Sequence, residues 1–229
     1  MTTTTGLLRA HALHKSFGRT EALRGASVDV AAGEVLALTG PSGSGKSTLL
    51  LCLAGVLRPE AGSVTYDGRR LDDLGEGERT RLRRREFGLV LQFGQLVPEL
   101  SAVQNVMVPL LLERHDRAAA RTAALAWLER LGAHGLADAL PGDLSGGESQ
   151  RVAMARALVT GPAVVFADEP TGALDTVSGE EVMEVLVSTA RDTGAAIVLV
   201  THDNRVAAYA DREVVLRDGT LDPSAAVTP

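Results

Sequence analysis

A strand that runs into a glycine loop and straight out into a helix can fold in few ways. Residues 34–57 spell that arrangement. Gly40-Pro41-Ser42-Gly43-Ser44-Gly45-Lys46-Ser47-Thr48 satisfies G-x-x-x-x-G-K-[ST] at every fixed position. Before it, Glu34 to Thr39 is a short apolar run expected as a strand. After it, Ser47 to Leu57 is rich in leucine and expected as a helix. Glycines let successive backbone N–H groups turn inward around an anion. The helix then offers its positive end and unpaired amides to the same anion. Lys46 supplies a mobile charge for outer phosphates, and Ser47 a hydroxyl for Mg2+. Lysine and arginine together number 23, and only Lys15 and Lys46 are lysine. A chain that otherwise spells positive charge as arginine keeps a compact ammonium in this loop.

At 229 residues the chain has ample length for an α/β core, and its 45% hydrophobic content is ordinary for a globular protein. A net charge of −6 argues for solubility and against nucleic acid as a partner. The single cysteine, Cys52, falls in the apolar helix after the loop and is expected in the core, without an intrachain disulfide. No apolar run approaches membrane-spanning length, and Met1 to Gly6 lacks the features of a signal peptide. A cytoplasmic location is expected, with any membrane role exerted through a partner.

Strands are expected within Gly6–Phe17 and at Ala26–Val30 and Ser63–Tyr66, with hairpin turn signals at Asp67-Gly68 and Asp218-Gly219. Residues 72–86 pair five arginines with five acids, a solvated mixed-charge helix. Phe87–Leu91, Ala163–Ala167, Ala195–Val200 and Glu213–Leu216 read as further strands. Helical periodicity marks Ala102–Glu113, Arg117–Leu131, Gly146–Val159 and Ser178–Arg191, with a shorter helix at Asp203–Ala210. The expectation is one domain over 6–221. In it, 6–92 and 160–221 form an α/β P-loop core with a small antiparallel β subdomain, 93–159 is an inserted α-helical subdomain, and 222–229 is a tail.

Ala163–Ala167 ends in Asp168 and Glu169. Sites in parallel sheets lie at the carboxyl ends of strands. Asp168 can hold Mg2+ there, and Glu169 can act as general base on the attacking water. Standing alone, these would be ordinary solvated acids; the phosphate loop gives them chemistry. His202 follows the next strand and can reach a γ-phosphate. Gln92 ends the 87–91 strand and can offer its amide to the metal or the water. Ser145-Gly146-Gly147-Glu148 scans as a capping box at a helix start, and a helix start with two glycines is also an anion site. Lys46 already serves one γ-phosphate, so this second site suits a nucleotide carried by another copy of the chain. Phe17, before Gly18, reads equally as a packing residue.

In order and at family-like spacing, the chain carries 40–48, Leu91-Gln92, Leu144–Glu148, Val164–Pro170, Ala173–Asp175 and Thr201–Asp203. Together these resemble the nucleotide-binding subunit of an ABC transporter over nearly the whole length. The resemblance implies a head-to-tail dimer that sandwiches two ATP molecules, with Gly40–Thr48 of one copy facing Ser145, Gly146, Gly147 and Glu148 of the other. It makes Phe17 the aromatic that stacks on adenine and Asp175 a link between the two sites. Many relatives have glutamine where Glu148 stands. Glu99–Val106, Pro170–Asp175 and the short chain are similar to the group of macrolide exporters, lipoprotein-releasing systems and the cell-division ATPase. That implies a separate membrane permease, export of a hydrophobic compound, peptide or lipoprotein, and attachment to the cytoplasmic face of the membrane. The segment Phe93–Leu100 would grip the permease. The other transport-like reading is a regulatory pair that transmits force without moving substrate. DNA-repair relatives carry a long coiled coil that is absent here, and translation-factor relatives carry two cassettes.

Overall fold

The computed structural model describes residues 6–91, 95–172 and 174–221. Gln92, Phe93, Gly94, Ala173 and the 222–229 tail, each of which carried an expectation, lie outside the described residues. In chain order the elements are β1 (Leu8–Phe17), β2 (Thr20–Val30), β3 (Val35–Thr39), α1 (Lys46–Leu53), β4 (Ala61–Tyr66), β5 (Arg69–Arg70), α2 (Glu76–Glu86), β6 (Phe87–Val90) and α3 (Ala102–Leu112). There follow α4 (Arg117–Arg130), α5 (Gly146–Leu158), β7 (Val164–Asp168), α6 (Thr176–Thr193), β8 (Ala196–Val200), α7 (Asn204–Ala207), β9 (Arg212–Arg217) and β10 (Thr220–Leu221). The chain divides into two compact units: residues up to Arg83 together with those from Gly194 onward, and Arg84–Thr193.

In the first unit β3 lies between β8 and β9 and is parallel to both, with β10 added antiparallel to β9. Every residue of β3 and β8 is buried, as expected of parallel strands covered on both faces. Their continuous apolar runs are therefore the visible signal, without alternation. A separate antiparallel sheet runs β2-β1-β4-β5. Here the strands outrun the expectation. β2 begins at Thr20, six residues before the visible alternation, because Gly25 takes φ 88 and the register shifts along the pair. A bulge hides the period that a sequence scan relies on. Phe17 pairs with Thr20 across a two-residue turn, so Gly18 closes a hairpin there. Both Asp-Gly turns form as expected, with positive φ at Asp67, Gly68, Asp218 and Gly219.

In the second unit β6 and β7 are parallel, and Phe87 meets Phe166 edge to face at 5.2 Å. The helices α3, α4 and α5 start at the expected residues. Asp116 caps α4 by accepting from the Ala118 and Ala119 amides. Ser101 and Gln104 form a capping box on α3. α6 buries Val182, Met183, Leu186, Val187 and Ala190, a stripe at helical spacing.

One buried polar residue organises the loop before α3. Asn105 is fully buried; its Oδ1 accepts from the Val97 amide at 2.7 Å, and its Nδ2 donates to the carbonyls of Val97, Leu100 and Ser101. Both ends of its amide are bonded to backbone. Asn105→Leu should lower the unfolding free energy by about 2–4 kcal/mol, since it leaves several backbone groups unpaired. Urea titration of the full chain measures this, and Leu112→Ala, at a residue 54% exposed, should change it by less than about 0.5 kcal/mol.

Candidate nucleotide-binding site

The loop between β3 and α1 is fixed by backbone crowding. A Cβ on Gly40 would stand 2.1 Å from the Leu216 carbonyl oxygen, and one on Gly45 would stand 2.2 Å from that of Ala22. Both glycines also take positive φ, 135 and 103. Only glycine fits either place. Gly43, with φ 78, has open space where a Cβ would be. The loop is tied from behind as well. The Gly219 amide donates to the Ser44 carbonyl at 3.1 Å, and the Gly219 carbonyl accepts from the Arg24 amide at 2.8 Å. The β9–β10 turn therefore bridges β2 and the loop. The turn was legible in sequence, but its contact with the loop was not.

The polar groups of the loop fit a phosphate. The Lys46 ammonium donates to the carbonyls of Gly40 and Pro41, both at 2.8 Å, so it is folded over the loop's own mouth. Lys46 begins α1 with Gly45 as its N-cap, and no side chain caps that end. Its orphan amides therefore suit an anion. The Ser44 hydroxyl is buried without a hydrogen-bond partner among the described residues. An oriented backbone, a folded-over lysine and an unsatisfied hydroxyl together fit a polyphosphate.

Two further expected residues lie in the same unit. Thr201, directly after β8, donates its amide to the Leu38 carbonyl at 3.2 Å, and Leu38 pairs with Val200. His202 therefore leaves β8 at the same strand edge where Gly40 leaves β3. Thr201 Oγ1 accepts from the Asp203 amide at 3.1 Å, and Asp203 caps α7, which shapes the turn that presents the exposed His202. Phe17 is 51% exposed, and the Lys15 ammonium lies 5.6 Å from its ring centroid. Lys15 is also paired with Glu60 at 3.4 Å. The ring is half exposed with a cation over it, so it is not a core packing residue. Cys52 is buried as expected, and burial pushes its thiol pKa up to about 11.

The second unit carries the other candidates. β7 ends at Asp168, and Glu169 takes φ 47, a left-handed conformation uncommon for a glutamate. Its carbonyl accepts from the Gly172 amide at 3.1 Å, closing a tight turn directly after the strand. Strained backbone of this kind gathers at functional sites. Ser145 caps α5 in the expected box. Its amide and its hydroxyl both donate to Glu148 Oε2, at 2.8 and 2.7 Å, while the Glu148 amide donates to Ser145 Oγ at 3.3 Å. Asp175 takes a similar place before α6, accepting from the Val177 and Ser178 amides at 3.1 Å and from the Ser178 hydroxyl at 2.8 Å. Gln92 lies outside the described residues. Farther along α5, Arg156 donates to the Gln95 carbonyl at 2.9 Å, a tie that no sequence pattern announced.

Residues 23–172 match the model of the ABC transporter family. The chain is 47% identical over 205 residues to the lipoprotein-releasing system ATP-binding protein LolD of Bordetella pertussis, covering 90% of this chain and 89% of that one. This chain belongs to the ABC transporter family, as an ATP-binding subunit. It is also 42% identical to LolD of Shewanella frigidimarina over 210 residues, 92% of this chain and 88% of that one. Among solved structures, the ATP-binding cassette MJ0796, dimeric and bound to ADP and Pi, superposes with a TM-score of 0.88 at 35% identity, covering 94% of this chain and 96% of that one. CbiO1 of Clostridium perfringens, part of the transporter complex cbiONQ, superposes with a TM-score of 0.85 at 31% identity, covering 95% and 87%. The ABC subunit is thus an ATP hydrolase with the P-loop fold expected from the sequence. Among the described residues, no helix is long and apolar enough to cross a membrane.

Gly45→Ala should weaken ATP binding at least about 10-fold, because the new methyl drives the loop off the Ala22 carbonyl. Titration with a fluorescent ATP analogue reads it. A second expectation concerns acid. Hydrogen bonds from Ser145 hold the Glu148 carboxyl below its usual range, and those from Ser178 do the same for Asp175. Their stabilisation is present above the ordinary carboxylate pKa and is lost as pH falls through the lowered values. Asp175→Asn should therefore be less stable than wild type at neutral pH. The gap should close as pH falls below the ordinary carboxylate range in urea titrations.

Proposed function

We propose that two copies of this chain close head to tail around ATP and drive a separate membrane permease that exports a lipoprotein or a similarly apolar cargo. The observation that carries this reading is the likeness to lipoprotein-releasing ATP-binding proteins along nine-tenths of the chain. In it, Gly40, Pro41, Ser42, Gly43, Ser44 and Gly45 hold the phosphates through backbone amides, Lys46 neutralises them, and Thr48 extends the helix start. Phe17 stacks on the adenine. Ser145, Gly146 and Gly147 of one copy meet the nucleotide of the other, and Asp175 links the two sites. Mg2+ would be held by Ser47, Asp168 and Gln92, where it would neutralise charge on the terminal phosphates. Glu169 takes a proton from the attacking water, and His202 contacts the terminal phosphate.

The permease holds the subunit at the cytoplasmic face of the membrane. Its contact falls in the segment Phe93–Leu100, of which the structure describes residues 95–100. Val97 there is 40% exposed although its backbone is held rigidly by Asn105. An apolar side chain on a fixed loop suits a helix end that pushes against it. Crosslinking from Leu96 or Glu99 to the permease should give product, and failure at both positions would count against this contact.

Glu169→Gln should slow hydrolysis by roughly 10²- to 10⁴-fold while ATP still binds and holds the dimer. Steady-state phosphate release and light scattering read the two parts separately. Reconstitution with the permease in vesicles, following cargo release alongside ATP turnover, tests the transport claim; turnover without movement of any cargo would overturn it.

A further inference from the structure

The capping box at Ser145 leaves a negative charge where a phosphate is expected to arrive. We propose that Glu148 sets how readily the Ser145–Gly147 loop accepts the nucleotide of a second copy, by occupying the Ser145 hydroxyl proton and by holding its charge at the start of α5. This rests on the two-copy reading above.

The geometry is specific. A serine hydroxyl has one proton, and here Ser145 donates it to Glu148 Oε2 at 2.7 Å. The same oxygen accepts the Ser145 amide at 2.8 Å. A phosphate seeking the hydroxyl must first break that bond. It must also approach the carboxylate, which opposes the attraction of the helix dipole and its free amides. Lowered below its usual range, the Glu148 carboxyl stays ionised at neutral pH. Arg151, one turn on, bonds Glu181 at 2.6 Å and the Leu131 carbonyl at 3.3 Å; its charge also acts on Glu148 from a distance and offsets part of the carboxylate's repulsion. Steric access is not the obstacle, for Ser145 and Gly146 are exposed.

Glutamine would invert the arrangement while keeping the cap. Its oxygen can still accept the Ser145 amide, and its NH2 can donate to Ser145 Oγ. The hydroxyl proton is then released for a phosphate, and the charge is gone. Glu148 is therefore a positioning residue, acting through Ser145, and its acid form raises the threshold for ATP-driven closure.

The test uses the full chain carrying Glu169→Gln, so that bound ATP persists. Dimer dissociation constants with saturating ATP are measured by analytical ultracentrifugation at about 50 mM and about 500 mM salt, with Debye lengths near 14 and 4 Å. Removing one exposed charge should gain about threefold per site, and the dimer has two such sites. Glu148→Gln should therefore tighten dimerisation about 10-fold at low salt, shrinking below about threefold at high salt. Its thermal midpoint should fall modestly at neutral pH, as for Asp175→Asn, because the charge that the Ser145 bonds favour is gone. Glu148→Ala removes the charge and the Glu148 half of the capping box together; it should also tighten the low-salt dimer, but melt lower than Glu148→Gln. A parent that dimerises with ATP, beside a Glu148→Gln variant that dimerises no better at low salt, would overturn the inference alone. A gain indifferent to salt would overturn the charge argument. Failure of the parent to dimerise with ATP at all would overturn the two-copy reading, and this inference with it.

Discussion

The structure depends on how closely backbone approaches backbone around one loop. Gly40 and Gly45 lie against the carbonyl oxygens of Leu216 and Ala22 at distances that leave no room for a Cβ. Those carbonyls belong to β9 and β2, strands from different sheets. A nine-residue motif is therefore held in shape by residues far away in sequence on both sides. The Gly219 turn completes the clamp by bonding Ser44 on one side and Arg24 on the other. An anion-binding loop needs amides already aimed before the anion arrives. This packing supplies the aim, and the lysine folded over the mouth of the loop keeps its charge close while the site waits.

That constraint explains why the glycines in the motif are not equivalent. Gly43 has open space and a positive φ, so only its backbone conformation calls for glycine. Gly40 and Gly45 are required twice, by conformation and by crowding. A motif usually read as a ligand signature is here also a packing signature, and the two readings are compatible. The chain before the loop is pinned in the same way. Thr39 donates to Glu213 at 2.6 Å, and the Val35 amide donates to Asp211 at 2.9 Å. Side chains of the β9 region thus fix both ends of the strand that feeds the loop.

Much of this was legible in the sequence, for identifiable reasons. The fully buried β3 and β8, and β7 up to Asp168, announce themselves as apolar runs, and α3, α4 and α5 begin at capping or turn residues that a scan can see. What stayed hidden is what bulges and long-range contacts conceal. β1 bends at Ala12, which takes φ 46, because Gly62 of the neighbouring strand lies beneath it, 2.3 Å from the Ala12 carbonyl oxygen if it bore a Cβ. No periodicity survives such a bend. The two-residue β5 and β10 are hairpin ends too short to carry an alternation at all. At the site, the residue types were readable from the motifs, but their holders were not. Glu60, which ties down Lys15 beside Phe17, belongs to no pattern, and Gly219 is legible only as a turn, not as a tie to the loop.

The two acidic caps share one physical problem. Glu148 and Asp175 each satisfy amides at the start of a helix, and each also holds a serine hydroxyl. The same features make a helix start attractive to anions. An acid in that position stabilises the isolated subunit by filling, from within, the role that an incoming phosphate would fill from outside. Local stability and readiness to bind are therefore opposed at these residues. A glycine-lined loop such as Gly40–Gly45 avoids the conflict, because its amides are aimed by packing from behind and no internal carboxylate occupies its mouth. The two loops thus differ in how their amides are prepared: one is aimed by crowded backbone, and the other is bonded by its own capping acid, which under the two-copy reading an incoming phosphate would have to displace.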